Sequence, residues 1–281
     1  MRPKLGILAG SGRLPMDIIG CCTRTGRPFH VIAFSGQSEE EAFASVPHSR
    51  IRLGAGGATL KALRDNNVDE IVFVGGIVRP TLAQLRPDAW GLKFLARNGI
   101  MALGDDGALS AIIRTLEEKE GFRVVGVGDI APELLAPIGV LGTITPTRGD
   151  QLDINVAVQA AYSLGSKDIG QAAVVRNGQV IGLEGPDGTD ALLRRVTSSL
   201  EGEQASKPAG VLAKVCKPRQ ERRADLPTIG IDTVENVAAA GLAGIAIEAG
   251  GALVLERDAV VQKADALGIF IVGTEVGNGN G

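Results

Sequence analysis

A chain of 281 residues with 44% hydrophobic side chains and a net charge of −3 can fill two ordinary cores and carries no global basic field for nucleic acid. Aromatic residues make up only 3%, which argues against the base-stacking platforms of single-strand binders. Cys21, Cys22 and Cys216 form no metal-type spacing, and adjacent Cys21 and Cys22 are poorly placed to bridge each other, so a reduced cytoplasmic protein is expected.

In chain order, Leu5–Ala9 reads as a strand, Gly10-Ser11-Gly12 as a tight turn and Leu14–Thr25 as a helix. His30–Phe34, Ile51–Leu53 and Ile71–Val74 are short β-branched runs, with a helix expected at Ala58–Asn66. Leu109, Ile112, Ile113 and Leu116 fall at i, i+3, i+4 and i+7, so Asp106–Glu120 predicts a helix with one apolar face, followed by a strand at Val124–Val127. This βα alternation predicts a Rossmann-like domain with a mostly parallel sheet. Pro137–Gly149 reads as a connecting stretch, with the linker placed at 143–149 between domains at 1–142 and 150–281.

The second half resumes with a helix at Asp150–Leu164. Ala172–Arg176 and Val180–Leu183 flank Asn177-Gly178, a hairpin signal because both turn positions need positive φ. Helices are expected at Thr189–Val196, Asp232–Ala240 and Asp258–Ala266. Strands are expected at Val211–Val215, Ile245–Ile247, Ala252–Leu255 and Phe270–Val272. The run Val237–Leu255 imitates a membrane span, but Gly241, Gly244, Gly250 and Gly251 divide it into elements of a buried core. The N-terminus lacks the continuous apolar segment of a signal peptide.

The densest chemistry lies in Lys217–Thr233, KPRQERRADLPTIGIDT. Lys217, Arg219, Arg222 and Arg223 sit within nine residues of Asp225, and Glu221 lies between them. Cations leaving a strand end suit phosphate, and Arg can grip two oxygens at once. A carboxylate in that company would repel phosphate, so it points to a divalent metal or to proton transfer from water. A solvated charged loop is the plainer alternative. Gly10, Ser11 and Gly12 stand where a helix N-terminus can receive an anion, although the third glycine of the dinucleotide fingerprint is missing and no acid follows the second strand to hold a ribose. Arg79, after Gly75-Gly76, and Asp105, ahead of the helix-capping Asp106, are further candidates at strand ends. Asp187, Gly188, Thr189 and Asp190, with Glu184 nearby, concentrate groups suited to magnesium and sugar hydroxyls. His30 and His48 join no acid–base constellation, and His30 is expected to be a packed residue.

Taken in order, LGILAGSGRLP at Leu5, GGIVRP at Gly75, GDDGAL at Gly104, DIGQ at Asp168, DGTDALLRR at Asp187, KPRQERRADLPTIG at Lys217 and ADALGIF near the end resemble one family. It is that of the UDP-2,3-diacylglucosamine pyrophosphatases of lipid A biosynthesis unrelated to metallophosphoesterases. The resemblance covers Leu5 to Phe270. Its most specific part is the Lys-Pro-x-Gln…Arg-x-Asp-x-Pro core, and Glu221 and Asp187 stand where the family has Asp and Glu, respectively. It implies magnesium-dependent hydrolysis to 2,3-diacylglucosamine 1-phosphate and UMP, with water attacking the sugar-side phosphorus. It also implies a peripheral location at the cytoplasmic face of the inner membrane and leaves a homodimer open. On that reading Asp225 holds magnesium or orients water, with Asp187 and Glu221 as further metal ligands. Lys217 and Arg223 hold phosphate oxygens, and Gln220 positions water or sugar. Gly10, Ser11, Gly12, Arg79, Asp105, Gly188, Thr189 and Asp190 contact the UDP-linked diacyl glucosamine lipid. With phosphate-suited loops in both halves, the ligand is expected between the two domains. The competing readings are a nucleotide-dependent oxidoreductase and a non-catalytic lipid or nucleotide carrier.

Overall fold

The computed structural model describes residues 2–38, 41–78, 81–98, 105–200 and 208–276, excluding the side chains of 82, 83, 105 and 106. The chain divides into two compact units. The first is Met1–Pro132 together with Glu221–Asp225, and the second is Glu133–Gln220 with Leu226–Gly281. Both are α/β.

The first unit runs β1 (Leu5–Ala9), α1 (Leu14–Thr25), β2 (Phe29–Phe34), β3 (His48–Ile51), α2 (Gly56–Asp65) and β4 (Glu70–Val74). It continues through α3 (Leu82–Leu85), α4 (Ala89–Asn98), α5 (Asp105–Glu118), β5 (Arg123–Val124) and α6 (Val127–Ile130). Its strands are all parallel, in the order β3-β2-β1-β4-β5, the doubly wound order of a Rossmann-like sheet. Every residue of β1 is buried, as expected where both faces of a parallel sheet are covered. Leu8, Ile32 and Ile71 meet Leu60 and Leu63 of α2 and Ile113 and Leu116 of α5 in one core. Each such side chain contributes about 1.5–3 kcal/mol by leaving water. His30 is buried with Nε2 against Ser49 Oγ at 2.9 Å, and burial pushes its pKa down.

Several boundaries differ from the sequence reading for tertiary reasons. β3 lies earlier than Ile51–Leu53, because pairing with β2 sets His48 opposite Val31. β5 is only two residues long, and the chain turns into α6 where a continuing strand was expected. α4 was not legible in the sequence; it is held by Trp90, which stacks on Phe94 at 5.3 Å between ring centroids and packs on the first core.

The second unit contains β6 (Gly139–Leu141), α7 (Arg148–Ser166), β7 (Ala172–Arg176), β8 (Gln179–Leu183), α8 (Gly188–Leu200), β9 (Val211–Lys214), β10 (Thr228–Ile229), α9 (Ile231–Ala239), β11 (Gly244–Glu248), β12 (Leu253–Val254), α10 (Arg257–Leu267) and β13 (Phe270–Thr274). Six strands form a sheet in the order β6-β13-β11-β9-β7-β8. β13, β11 and β9 are parallel, while β6, β7 and β8 run antiparallel to their neighbours. The two-residue side-chain period serves two cores. Ala173 and Val175 of β7 face Ile154, Ala157 and Ala161 of α7, whereas Ala172 and Val174 pack with Leu192 of α8, Val237 of α9 and Val260 of α10. Asn177 and Gly178 take the positive φ values that the hairpin demanded, 53° and 76°. The carboxylate of buried Asp153 accepts both of their amides, at 3.0 and 2.6 Å.

The stretch read as a linker, 143–149, lies inside this second unit, and the chain passes between units after Pro132. Three residues ahead of the expected linker form β6, stabilised by pairing with β13 more than a hundred residues on. Thr147 then starts α7 before the expected Asp150, through a capping box with Asp150. The boundary at 150–281 also differs, since Glu221–Asp225 belongs to the first unit.

Candidate functional site

In the second unit the sheet topology gathers the expected loops at one end. β9 runs out into Lys217; β7, antiparallel to it, begins just after Asp168–Gln171; β8 ends at Leu183, just before Glu184. Lys217 Nζ donates to Asp168 Oδ1 at 2.7 Å, with the lysine side chain 15% exposed. Gln220 is buried. Its Oε1 accepts the Lys217 amide at 2.9 Å, while its own amide donates to the Lys217 carbonyl at 3.1 Å. The residue expected to position water or sugar braces the turn that presents Lys217, and its Nε2 lies 3.5 Å from Gln171 Oε1.

Glu184 is the second brace. Its carboxylate is buried and accepts the Gln171 amide at 2.6 Å and the Thr189 hydroxyl at 2.5 Å. It thereby ties the Asp168–Gln171 loop to the start of α8, and Thr189 spends its proton inside the protein. Gly188 opens α8 with φ +82°, a left-handed conformation that accounts for a glycine there. Asp190 accepts a bond from Asn236 at 3.2 Å, linking α8 to α9. Asp187 pairs with Arg195.

At the first unit, Glu221–Asp225 lies against the carboxyl end of β5, the edge at which open α/β sheets bind ligands. The segment is one tight turn: the Glu221 carbonyl accepts the amides of Ala224 and Asp225 at 2.9 and 3.0 Å. Ala224 packs on the first unit's core. Arg223 donates from Nε and Nη2 to the two Glu221 oxygens, both at 2.9 Å, and from Nη1 to Glu117 at 2.7 Å and the Val124 carbonyl at 3.4 Å. Those hydrogen bonds pull the Glu221 pKa down and hold that of Arg223 up. Glu117, on the polar face of α5, carried no sequence signal. Arg223, expected at phosphate oxygens, is engaged with two carboxylates.

The Gly10-Ser11-Gly12 turn also differs from its reading as an anion site. Gly10 donates its amide to Val74 O at 2.9 Å, and Ser11 and Gly76 exchange both backbone bonds at 2.8 and 2.9 Å. A Cβ on Gly10 would stand 2.2 Å from the Gly76 carbonyl oxygen, and one on Gly75 would stand 2.4 Å from that of Ser11. The small residues let two loops meet across the switch point between β1 and β4. The amides of Gly10 and Ser11 are committed there and are not donors for a bound phosphate. Gly12, at φ +86° with open space beside it, stays outside this contact. Asp105 opens α5, and Arg79 lies outside the described residues.

Among the described residues no group of three His, Cys, Asp or Glu side chains is placed to hold a metal. Of the expected ligands, Glu221 has both oxygens on Arg223 and Asp187 is ion-paired. This donor set fits no preformed cage. It is compatible with magnesium carried mainly by substrate phosphates and water, which needs only one or two protein carboxylates, and Asp225 is the candidate for that part.

A doubly wound α/β domain joined to a second α/β domain, with cations and carboxylates at the sheet ends, defines a two-domain α/β protein. Residues 4–134 match the LpxI N-terminal domain and residues 137–272 the LpxI C-terminal domain. The chain therefore belongs to the LpxI family. It is 41% identical over 274 residues to the UDP-2,3-diacylglucosamine pyrophosphatase LpxI of Caulobacter vibrioides, covering 97% of this chain and 98% of that protein.

Proposed function

We propose that this protein hydrolyses UDP-2,3-diacylglucosamine to 2,3-diacylglucosamine 1-phosphate and UMP in lipid A biosynthesis. The observation that carries this reading is the 41% identity along nearly the whole of both chains to a pyrophosphatase of that name. The side chains suit the chemistry. A pyrophosphate resists water because its negative charge repels nucleophiles, so cationic neutralisation lowers the barrier. The Lys217 ammonium, held in place by Asp168 and by the braced turn, is the group we assign to phosphate oxygens. Asp225 accepts the proton of the attacking water or holds the metal. Magnesium, when bound, supplies Lewis-acid stabilisation of charge on the phosphoryl oxygens. Water attacks the sugar-side phosphorus, its P–O bond forming as the bridging P–O bond breaks, and UMP departs with the bridging oxygen.

No helix among the described residues is long and apolar enough to cross a membrane. We place the protein as a peripheral one at the cytoplasmic face of the inner membrane, where a diacyl substrate resides. Incubation with UDP-2,3-diacylglucosamine and magnesium in 18O-water tests the reading. The expected result is UMP without label and lipid phosphate with label, abolished by chelator without unfolding. Label in UMP, or full turnover in chelator, would overturn the corresponding part.

A further inference from the structure

We propose that Glu117 is a positioning residue for the turn that carries Asp225, acting through Arg223; this rests on the function proposed above. The geometry is specific. Arg223 is two residues from Asp225, and four of its hydrogen bonds run to Glu221, Glu117 and the Val124 carbonyl. The bonds to Glu221 are internal to the turn, so they stiffen it without locating it. Glu117 and Val124 belong to α5 and β5, and their bonds from Nη1 fix the turn to the sheet end. Ala224 adds an apolar contact, packing on the first unit's core. A planar guanidinium with its donors in a fixed fork suits this task, because satisfying both carboxylates leaves one orientation.

The pair also has the wrong setting for a stability device. Arg223 and Glu117 are 38% and 32% exposed and line a cavity of about 490 Å3 that also touches Asp129 and Arg123. Water-exposed ion pairs contribute little to folding. What this one decides is where the Asp225 amide and carboxylate sit, and a displacement of about 1 Å at a reacting group can cost on the order of 100-fold in rate.

The test uses the full-length protein with Glu117→Gln, Glu117→Asp and Arg223→Ala, and the Glu117→Gln/Arg223→Ala double variant. Glu117→Gln should stay folded, with a melting temperature near that of the parent. Its kcat should fall on the order of 10–100-fold, the scale found when the partner of a functional group is lost, with KM little changed. Glu117→Asp should recover part of that loss. In the Arg223→Ala background, Glu117→Gln should add almost nothing, as for two residues acting through one interaction. NMR contacts between the Ala224 methyl and the first unit's core, measured without substrate, should weaken in Glu117→Gln. Unchanged contacts overturn the anchor. Weakened contacts with unchanged kcat, in a protein whose parent is active, overturn the positioning role. A parent that does not hydrolyse the substrate removes the functional reading, while the NMR result still decides the anchor.

Discussion

The run Lys217–Asp225 is held in two contrasting ways. The backbone of its first part, Lys217–Gln220, is held from inside by a buried neutral amide side chain, while the Lys217 ammonium beyond it pairs with Asp168. Its second part, Glu221–Asp225, is organised by charge, with Arg223 forked between Glu221 and Glu117 at partly exposed positions. Buried neutral bonds are insensitive to salt and costly to leave unmade, whereas exposed ion pairs are weak and respond to pH and ionic strength. Neighbouring stretches of one loop therefore have separate vulnerabilities.

The largest expected difference is catalytic. Asp225→Ala should lose on the order of 10²–10⁴-fold in kcat, the scale of a positioned acid–base group, while substrate affinity survives or improves because a negative charge is gone. Lys217→Ala should weaken binding as well as rate, by roughly 10–100-fold in kcat/KM for one charge-assisted hydrogen bond. Turnover, substrate binding and melting temperature measured on the same preparations separate these outcomes. A folded Asp225→Ala protein with near-normal turnover would remove Asp225 from the chemistry.

Next in size is a stability effect. Gln220→Ala deletes the acceptor of the Lys217 amide and should cost about 1 kcal/mol, seen as a lower melting temperature with little change between low and high salt. A stability loss that vanishes in high salt would show that this part of the loop, too, is held by charge.

The smallest effect concerns pH. Hydrogen bonds to Arg223 put the Glu221 pKa below the ordinary glutamate value of 4.5. A lowered carboxylate contributes fully above that ordinary value, and its contribution is lost as pH falls through the lower folded one. The Ala224 amide signal in NMR should hold steady from pH 7 to about 4.5 and shift only below it. Raised salt should move that transition upward by screening the pair. A transition at or above 4.5 in low salt would mean that the pair does not form in solution.

Much of the architecture was readable in the chain alone. The apolar positions of α5, the β-branched parallel strands and the Asn177-Gly178 turn are local patterns, and the core has only to use them. The family-like motifs likewise pointed to the loops at the sheet ends. What tertiary structure decided was the choice of partners. Gly10 and Gly75 look like a ligand cradle until each loop is seen to occupy the space the other lacks a Cβ to fill. Arg223 reads as a phosphate ligand until Glu117, 106 positions earlier in the chain, takes its Nη1. β6 reads as part of a connecting stretch because three residues carry no strand signal without β13 beside them. Periodicity is a property of neighbouring residues and is written locally; the partner of a charge, a glycine or a short strand is set by distant chain brought close, and no local pattern encodes it.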